Sequence, residues 1–298
     1  MKKLPHDQST FLKKTNPDWA RQVHNFFLGK LQADGNDLTT QVLLDGTGQA
    51  VGKILARESG VLAGREELEI FLEKFNCKWH LRDGEHFQKN QMLLEITAPA
   101  QDLLKSERVI LNFLGRMCGV ATLTREFSAK LEKSVFLAAT RKTLWGALDK
   151  KAVSVGGGLT HRLNLQSAIL VKENHIAVLQ SNWGKIRRRL ERFDLENSPP
   201  DFFWEIEVES AQQFSQVLAN LPQTKAPGVI MFDNFQPATI SSLLQEMENP
   251  PNIFFEASGN IGPENFLAFA RTGVHVLSCG FLTENAVSAD LSLRLSLH

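Results

Sequence analysis

The chain has 298 residues, with 33 basic and 33 acidic side chains and 43% hydrophobic residues, enough for two domains. A formal charge of zero excludes the global electrostatic pull of non-specific nucleic-acid or anionic-membrane binders, so functional charge must be local. No apolar run approaches the ~18 residues of a membrane span, and Pro5, His6 and Asp7 break the basic start before a signal-peptide core can form. Cys77, Cys118 and Cys279 are scattered and lack CxxC spacing, which predicts buried thiols in a reducing, cytoplasmic compartment rather than disulfides or a structural zinc.

Asn16 followed by Pro17 reads as a helix cap and first turn, after which Trp19, Val23, Phe26 and Phe27 recur at helical spacing. From Asp34 to about Thr97 short apolar segments follow, around Val42 to Leu44, Val51 to Ala56, Trp79 to Leu81 and Met92 to Ile96. Glycines at 46, 48, 52, 60, 64 and 84 punctuate them, and a helix carrying Leu68, Phe71, Leu72 and Phe75 interrupts them. This predicts a small α+β domain. After Pro99, Ile110, Leu114, Met117 and Ala121 share one face of a long helix leading into a second domain.

Beyond that helix, β-rich runs occupy Val135 to Ala139, Ile169 to Val171, Phe202 to Val208, Val229 to Phe232, Ile253 to Ala257 and Val274 to Leu277. The intervals suit crossover helices and predict parallel βα units. Polar residues collect just after these runs: Thr140, Arg141 and Lys142, then Lys172, then Asp233 and Asn234, Ser258 and Gly259, Ser278 and Gly280. In parallel α/β barrels the active site lies at that carboxyl face, so one site is expected there.

Between Arg141 and His175 lie Arg141, Lys142, Lys150, Lys151, Arg162 and Lys172, with His161 and His175, against only Asp149 and Glu173. Such a mixture suits a ligand with several anionic groups; Lys150 and Lys151 are assigned to the surface. Gly156 to Gly158, Ser258 to Asn260, and Cys279 with Gly280 offer backbone cradles for anions, or simple turns. Glu207 and Asp233 suit magnesium, ribose hydroxyls or positive charge developing on a sugar. Strand parity does not separate Glu207 from Glu205 and Glu209. Arg187 to Arg189 read as an exposed amphipathic helix, and His24, His80, His86, His275 and His298 have no metal-ligand spacing.

From about Asp34 to Leu295 the chain resembles the quinolinate phosphoribosyltransferases. In the first part the resemblance is carried by GNDLTT (35–40), ARESGVLAG (56–64) and ERVILNFLGRMCGVAT (107–122). In the second it is carried by TRKT (140–143), KKAVSVGGGLTHR (150–162), ILVKENHI (169–176), EIEVES (205–210), IMFDNF (230–235), EASGNI (256–261) and TGVHVLSCGFLT (272–283). It implies a fold with an N-terminal α+β sandwich domain (1–118) that completes the neighbouring subunit's site, and a parallel α/β barrel (119–298), TIM-like and not necessarily complete. It also implies magnesium-dependent, decarboxylating transfer of phosphoribose from phosphoribosyl pyrophosphate to quinolinate, by a homodimer or higher homo-oligomer without nucleic-acid or membrane partners. By motif position Arg141, His161, Arg162 and Lys172 would hold quinolinate, with Arg108 from the neighbouring subunit, and Thr140 would be a further substrate contact. Lys142 would act near the pyrophosphate and Glu207 and Asp233 near ribose and magnesium, the catalytic set being Lys142, Glu207 and Asp233. Ser258, Gly259, Asn260, Cys279 and Gly280 would surround phosphate.

Three departures from the family pattern stand out. After TRKT the chain runs LWGALDKK instead of a threonine-proline-glycine turn with another arginine, Ala139 replaces an acidic residue, and Asn260 replaces a glycine. Two other readings compete, a transferase acting on nicotinate or another aromatic acid, and a phosphate-binding barrel without activity.

Overall fold

The structure is a computed structural model that describes residues 4–44, 48–197, 201–245, 247–248 and 250–297. Met1 to Lys3 of the basic N-terminus, Gly46 and His298 lie outside them. The chain divides into two compact units. One comprises Ser9–Glu126, Ala147–Gly157 and the chain from Asn285 onward; the other comprises the N-terminal segment through Gln8, Phe127–Gly146 and Gly158–Glu284. The sequence therefore crosses between units more than once.

The first unit opens with α1 (Pro17–Asp34). Asn16 accepts the Asp18 amide at 3.0 Å, Pro17 occupies the first turn, and Gly35 at φ +72° ends the helix. Its buried face, Trp19, Val23 and Phe27, packs inward, with Phe27 stacked on Phe71 at 4.4 Å and tilted against Phe113 at 4.7 Å.

The apolar triplet Val42 to Leu44 is not a strand. Asp37 caps Thr40 through its amide and hydroxyl, at 3.0 and 2.5 Å, and nucleates α2 (Leu38–Leu43). Next come β1 (Gln49–Ala56), β2 (Gly60–Val61), α3 (Arg65–Phe71), β3 (Asn76–Trp79), β4 (His86–Phe87) and β5 (Met92–Pro99). Thus β3 begins earlier than the expected Trp79 to Leu81, and Phe75 lies beyond the helix. The C-terminal strand Leu291–Leu297, β1, β5 and β3 form an antiparallel sheet in that order, while β2 pairs with β4. Burial alternates along β1, as a sheet with one covered face requires. α4 (Ala100–Ser128) is the long helix expected after Pro99.

α5 (Ala147–Val155) overturns the surface assignment of its two lysines. Lys150 and Lys151 are buried; Lys151 donates to Glu66 at 2.7 Å and the Leu12 carbonyl at 2.9 Å, and lies 3.7 Å from Glu67. Neighbouring Asp149 takes both arms of Arg116, at 2.9 and 3.0 Å. Lys151, Asp149 and Arg116 tolerate burial because each meets an opposite charge.

The second unit holds β6 (Phe136–Ala139), β7 (Ile169–Val171), β8 (Trp204–Val208), β9 (Gly228–Asp233), β10 (Ile253–Ser258) and β11 (Val276–Cys279). All pair in parallel, in the order β6, β11, β10, β9, β8, β7. Helices intervene after β7, β8, β9 and β10, so the expected α/β barrel is present with six strands. Its open side lies between β6 and β7. There Leu159 adds a parallel bridge to Ala138, and Gln8 bonds to Thr160, Leu163 and Ser167. The helix Trp183–Asn197 exposes Arg187 to Arg189, and Arg187 and Arg192 face Glu191 and Glu196 one turn on, at 3.7 and 2.8 Å. Among the described residues no helix is long and apolar enough to cross a membrane.

Glu67 reports on the first unit's charge burial. Burial pushes its carboxyl up from 4.5 to about 7, against the opposing pull of Lys151. Because the folded-state value is raised, the cost is absent below pH 4.5 and complete above pH 7. Glu67→Gln should therefore gain stability relative to the parent between pH 5 and 8, by at most about 3 kcal/mol in denaturant titrations. A difference independent of pH would contradict this.

Candidate active site

Parallel register brings the carboxyl ends of the barrel strands to one rim: Ser258 pairs with Asp233, Val208 with Phe232, and Cys279 with Ala139. The turn after β6 holds Thr140, Arg141 and Lys142. Thr140 Oγ1 accepts the Lys142 amide at 3.1 Å, and Thr283 donates to the Lys142 carbonyl at 2.6 Å. The backbone of Lys142 is pinned from both sides while its side chain stays exposed. That side chain runs past Gly280, where an added Cβ would lie 3.6 Å from Lys142 Cδ.

Arg162 is nearly buried and has no acceptor of its own among the described residues. Burial and the neighbouring charge of Arg141 lower its pKa, and Glu205 and Glu207 oppose this. Two guanidiniums near enough for each to disfavour the other's charge, one of them nearly buried, make a place where an anion is favoured.

Lys172, at the end of β7, donates to Glu207 Oε2 at 2.7 Å. Burial raises the Glu207 pKa, Lys172 offsets part of this, and the negative charge of Asp233 adds to it. Asn234, at φ +57°, donates to Asp233 Oδ2 at 2.8 Å and accepts from Asn260 at 3.1 Å. Glu207 Oε1 and Asp233 Oδ1 remain uncommitted among the described residues. The parity question on β8 resolves by depth: Glu205 and Glu207 are buried, whereas Glu209 is exposed.

The turn after β10 depends on its glycine. Gly259 sits at φ +88°, and a Cβ there would lie 2.3 Å from Asn234 Oδ1 and 2.7 Å from its amide nitrogen. Asn260 takes the left-handed conformation at φ +51°, which asparagine tolerates. Cys279 is fully buried, with its thiol 3.6 Å from the Leu277 carbonyl and its pKa raised by burial, so only its backbone could meet a ligand.

Other expectations change. Gly156 and Gly157 belong to the first unit, where a Cβ on Gly156 would lie 2.5 Å from the Ala121 carbonyl and Arg125 donates to the Gly156 carbonyl at 3.0 Å. Gly156 serves close packing on α4. His175 accepts the Lys172 amide at 3.0 Å and caps a helix. Arg108 is exposed on α4 in the first unit.

Sequence reasoning passed over His6 and Glu256, which lie beneath the rim with His161 and Glu205. His6, Glu205 and Glu256 are completely buried, and His161 nearly so. His161 Nε2 lies 3.3 Å from Glu205 and 3.4 Å from Glu256, and His6 Nε2 lies 2.7 Å from Glu256. Burial alone would lower the His161 pKa; Glu256 and Glu205 outweigh it and raise it to about 9, while the histidine charges hold Glu256 well below the usual carboxylate range. Glu256 carried a signal, being a charge inside the apolar run of a central strand.

Comparison with known proteins decides the family. Residues 37–118 match the quinolinate phosphoribosyl transferase N-terminal domain and residues 120–294 its C-terminal domain. The chain belongs to the quinolinate phosphoribosyltransferase family. A probable nicotinate-nucleotide pyrophosphorylase [carboxylating] of Methanothermobacter thermautotrophicus is 35% identical over 270 residues, 87% of this chain and 93% of that protein. A nicotinate-nucleotide pyrophosphorylase [carboxylating] of Mycobacterium leprae is 33% identical over 88% of this chain and 92% of its own length. Among solved structures, the nicotinate-nucleotide pyrophosphorylase of Ehrlichia chaffeensis superposes with a TM-score of 0.79 at 30% identity, covering 93% of this chain and 98% of that one. The quinolinate phosphoribosyltransferase family thus accounts for both the small sheet domain and the barrel.

Gly259→Ala should destabilise the protein by at least about 1 kcal/mol from its left-handed backbone alone, with the clash on Asn234 adding to that. Thermal denaturation would show it, and an unchanged melting temperature would mean the turn can rearrange freely.

Proposed function

We propose that this chain transfers phosphoribose from phosphoribosyl pyrophosphate to the ring nitrogen of quinolinate, with loss of carbon dioxide and pyrophosphate, giving nicotinate mononucleotide for NAD biosynthesis. The observation that carries this reading is the nearly buried Arg162, under the charge of Arg141 and Glu207, with Lys172 bonded to that same Glu207 and Asp233 on the adjacent strand. Quinolinate has two adjacent carboxylates, and each needs a cationic partner that water no longer supplies.

In this reading Arg141, His161, Arg162 and Lys172 orient quinolinate, joined by Arg108 of a neighbouring subunit in a homodimer, and Thr140 is a further substrate contact. The unit that carries Arg108 then completes the neighbour's site, and the barrel unit carries the chemistry. Ser258, Gly259, Asn260 and the backbone of Cys279 and Gly280 meet phosphate groups. Glu207 and Asp233, each with one uncommitted oxygen, would hold a magnesium ion, which would supply charge neutralisation at the departing pyrophosphate.

The ring nitrogen's lone pair forms the bond to the anomeric carbon while the bond to pyrophosphate breaks and its electron pair leaves with the oxygen. Lys142 stabilises that leaving charge, and Glu207 and Asp233 lower the cost of positive charge on the ribose ring. The positive ring nitrogen so formed stabilises the electron pair left on the adjacent ring carbon as its carboxylate departs as carbon dioxide, and that pair then bonds a proton from solvent. Orientation and electrostatics are the protein's whole contribution. The scattered free cysteines support a cytoplasmic setting.

Purified protein given quinolinate, phosphoribosyl pyrophosphate and magnesium should release carbon dioxide and pyrophosphate in equal amounts. Pyrophosphate released only with nicotinate in place of quinolinate would overturn the substrate, and silence with both would remove the activity. Lys142→Ala should lower kcat by about a hundredfold or more while changing the quinolinate KM by less than about threefold. Mixing it with Arg108→Ala subunits should restore part of the activity, since one hybrid site is then intact; no recovery in verified heterodimers would refute a shared site.

A further inference from the structure

The N-terminal segment threads the open side of the barrel. Leu4 packs on Ala168, Phe203, Val229 and Phe254, and also on Ala138, Leu159 and Val276. Gln8 receives the Leu163 amide at 3.2 Å and donates to the Thr160 hydroxyl at 2.8 Å and the Ser167 carbonyl at 3.0 Å. Thr160 in turn donates to the His6 carbonyl at 3.2 Å. Between these anchors, His6 enters the barrel interior.

His6 Nε2 stands 2.7 Å from Glu256 Oε2, and its ring meets His161 edge-on at 5.1 Å. Neither nitrogen of His6 and neither oxygen of Glu205 or Glu256 makes an aligned hydrogen bond among the described residues, so the contacts within the group are close charge contacts and nothing else compensates their burial. A buried carboxylate without donors is costly, so each member holds the others in place. His161 needs such holding, because its backbone is left-handed at φ +52°.

A metal ion is the other occupant to weigh, since ligand atoms of His6, His161 and Glu256 lie within 4.8 Å of one another. The surroundings of the His161 ring decide against it. Its Nε2 faces Glu205 and Glu256 at 3.3 and 3.4 Å, so that nitrogen carries a proton between two carboxylates. Binding a metal there would displace that proton and break both contacts.

We propose that His6 is a positioning residue, carried into the barrel by the N-terminal segment to brace Glu256, so that Glu256 and Glu205 together fix the His161 ring below the anion site. This rests on the reading of His161 as a quinolinate contact. It predicts that an extension outside the barrel sequence tunes how the acceptor is held.

Wild-type turnover of quinolinate, measured first, tests the reaction itself; the His6 variants of the full chain then test the brace. His6→Ala should raise the quinolinate KM about tenfold, as expected when a buried carboxylate oxygen loses its partner, with kcat and the phosphoribosyl pyrophosphate KM within about twofold. His6→Gln keeps an N–H donor and should stay within about threefold of wild type for quinolinate. In protein labelled with 15N-histidine, the Nε2 proton of His161 should resist solvent exchange in wild type and His6→Gln, and exchange faster in His6→Ala. Wild-type quinolinate KM in His6→Ala, or equal rises in both substrates' KM with a lowered melting temperature in both variants, would overturn the proposal. So would stoichiometric zinc in the wild type that is lost from His6→Ala. If His6→Ala does not fold, the exchange behaviour of the wild type and the kinetics of His6→Gln still decide it.

Discussion

Six strands paired in parallel must all point the same way, and the register that joins Asp233 to Ser258 and Ala139 to Cys279 leaves their ends level. Everything chemical in the barrel unit follows from that constraint. A residue needs only to be next in sequence after a strand to reach the common rim, which is how Arg141, Lys172 and Asp233 meet although they are far apart along the chain. The turns then do the fine placement: Thr140 and Thr283 hold Lys142 by its backbone, and Asn234 holds Asp233 by its carboxylate.

The rim concentrates like charge at a cost. Arg141 and Arg162 repel one another, and Glu207 and Asp233 do the same, with Lys172 bridging only part of the imbalance. Such a rim is electrostatically frustrated on its own, and an anionic ligand relieves it. Deeper in the barrel the opposite rule applies, since carboxylates and imidazoles alternate in contact. The two layers separate binding from support.

Much of this was legible from residues alone because parallel strands buried on both faces read as unbroken apolar runs. Ile169 to Val171 is a strand with the limits its composition predicts, and the other five barrel strands shift by only a residue or two. Short-range chemistry that competes with composition was harder to see. Asp37 converts an apolar triplet into a helical turn, and Lys150 and Lys151 look solvated because the acidic partners of Lys151 lie on α3, about 85 residues earlier. Gly156 resembles an anion cradle but answers to the Ala121 carbonyl. His6 carries no local signal at all, because its role exists only once β10 and the loop at His161 are in place.

The first unit's sheet is bordered by the strand Leu291–Leu297, which pairs along nearly the whole of β1. During synthesis β1 is made long before the strand that borders it. With roughly 240 residues between the paired strands and a ribosome adding about 5–20 residues per second, the edge of β1 waits some ~10–50 s for its partner. An unpaired edge invites pairing with another nascent chain, so the vulnerable interval in this protein's life falls before its last seven-residue strand leaves the exit tunnel, and truncation there would expose the edge permanently.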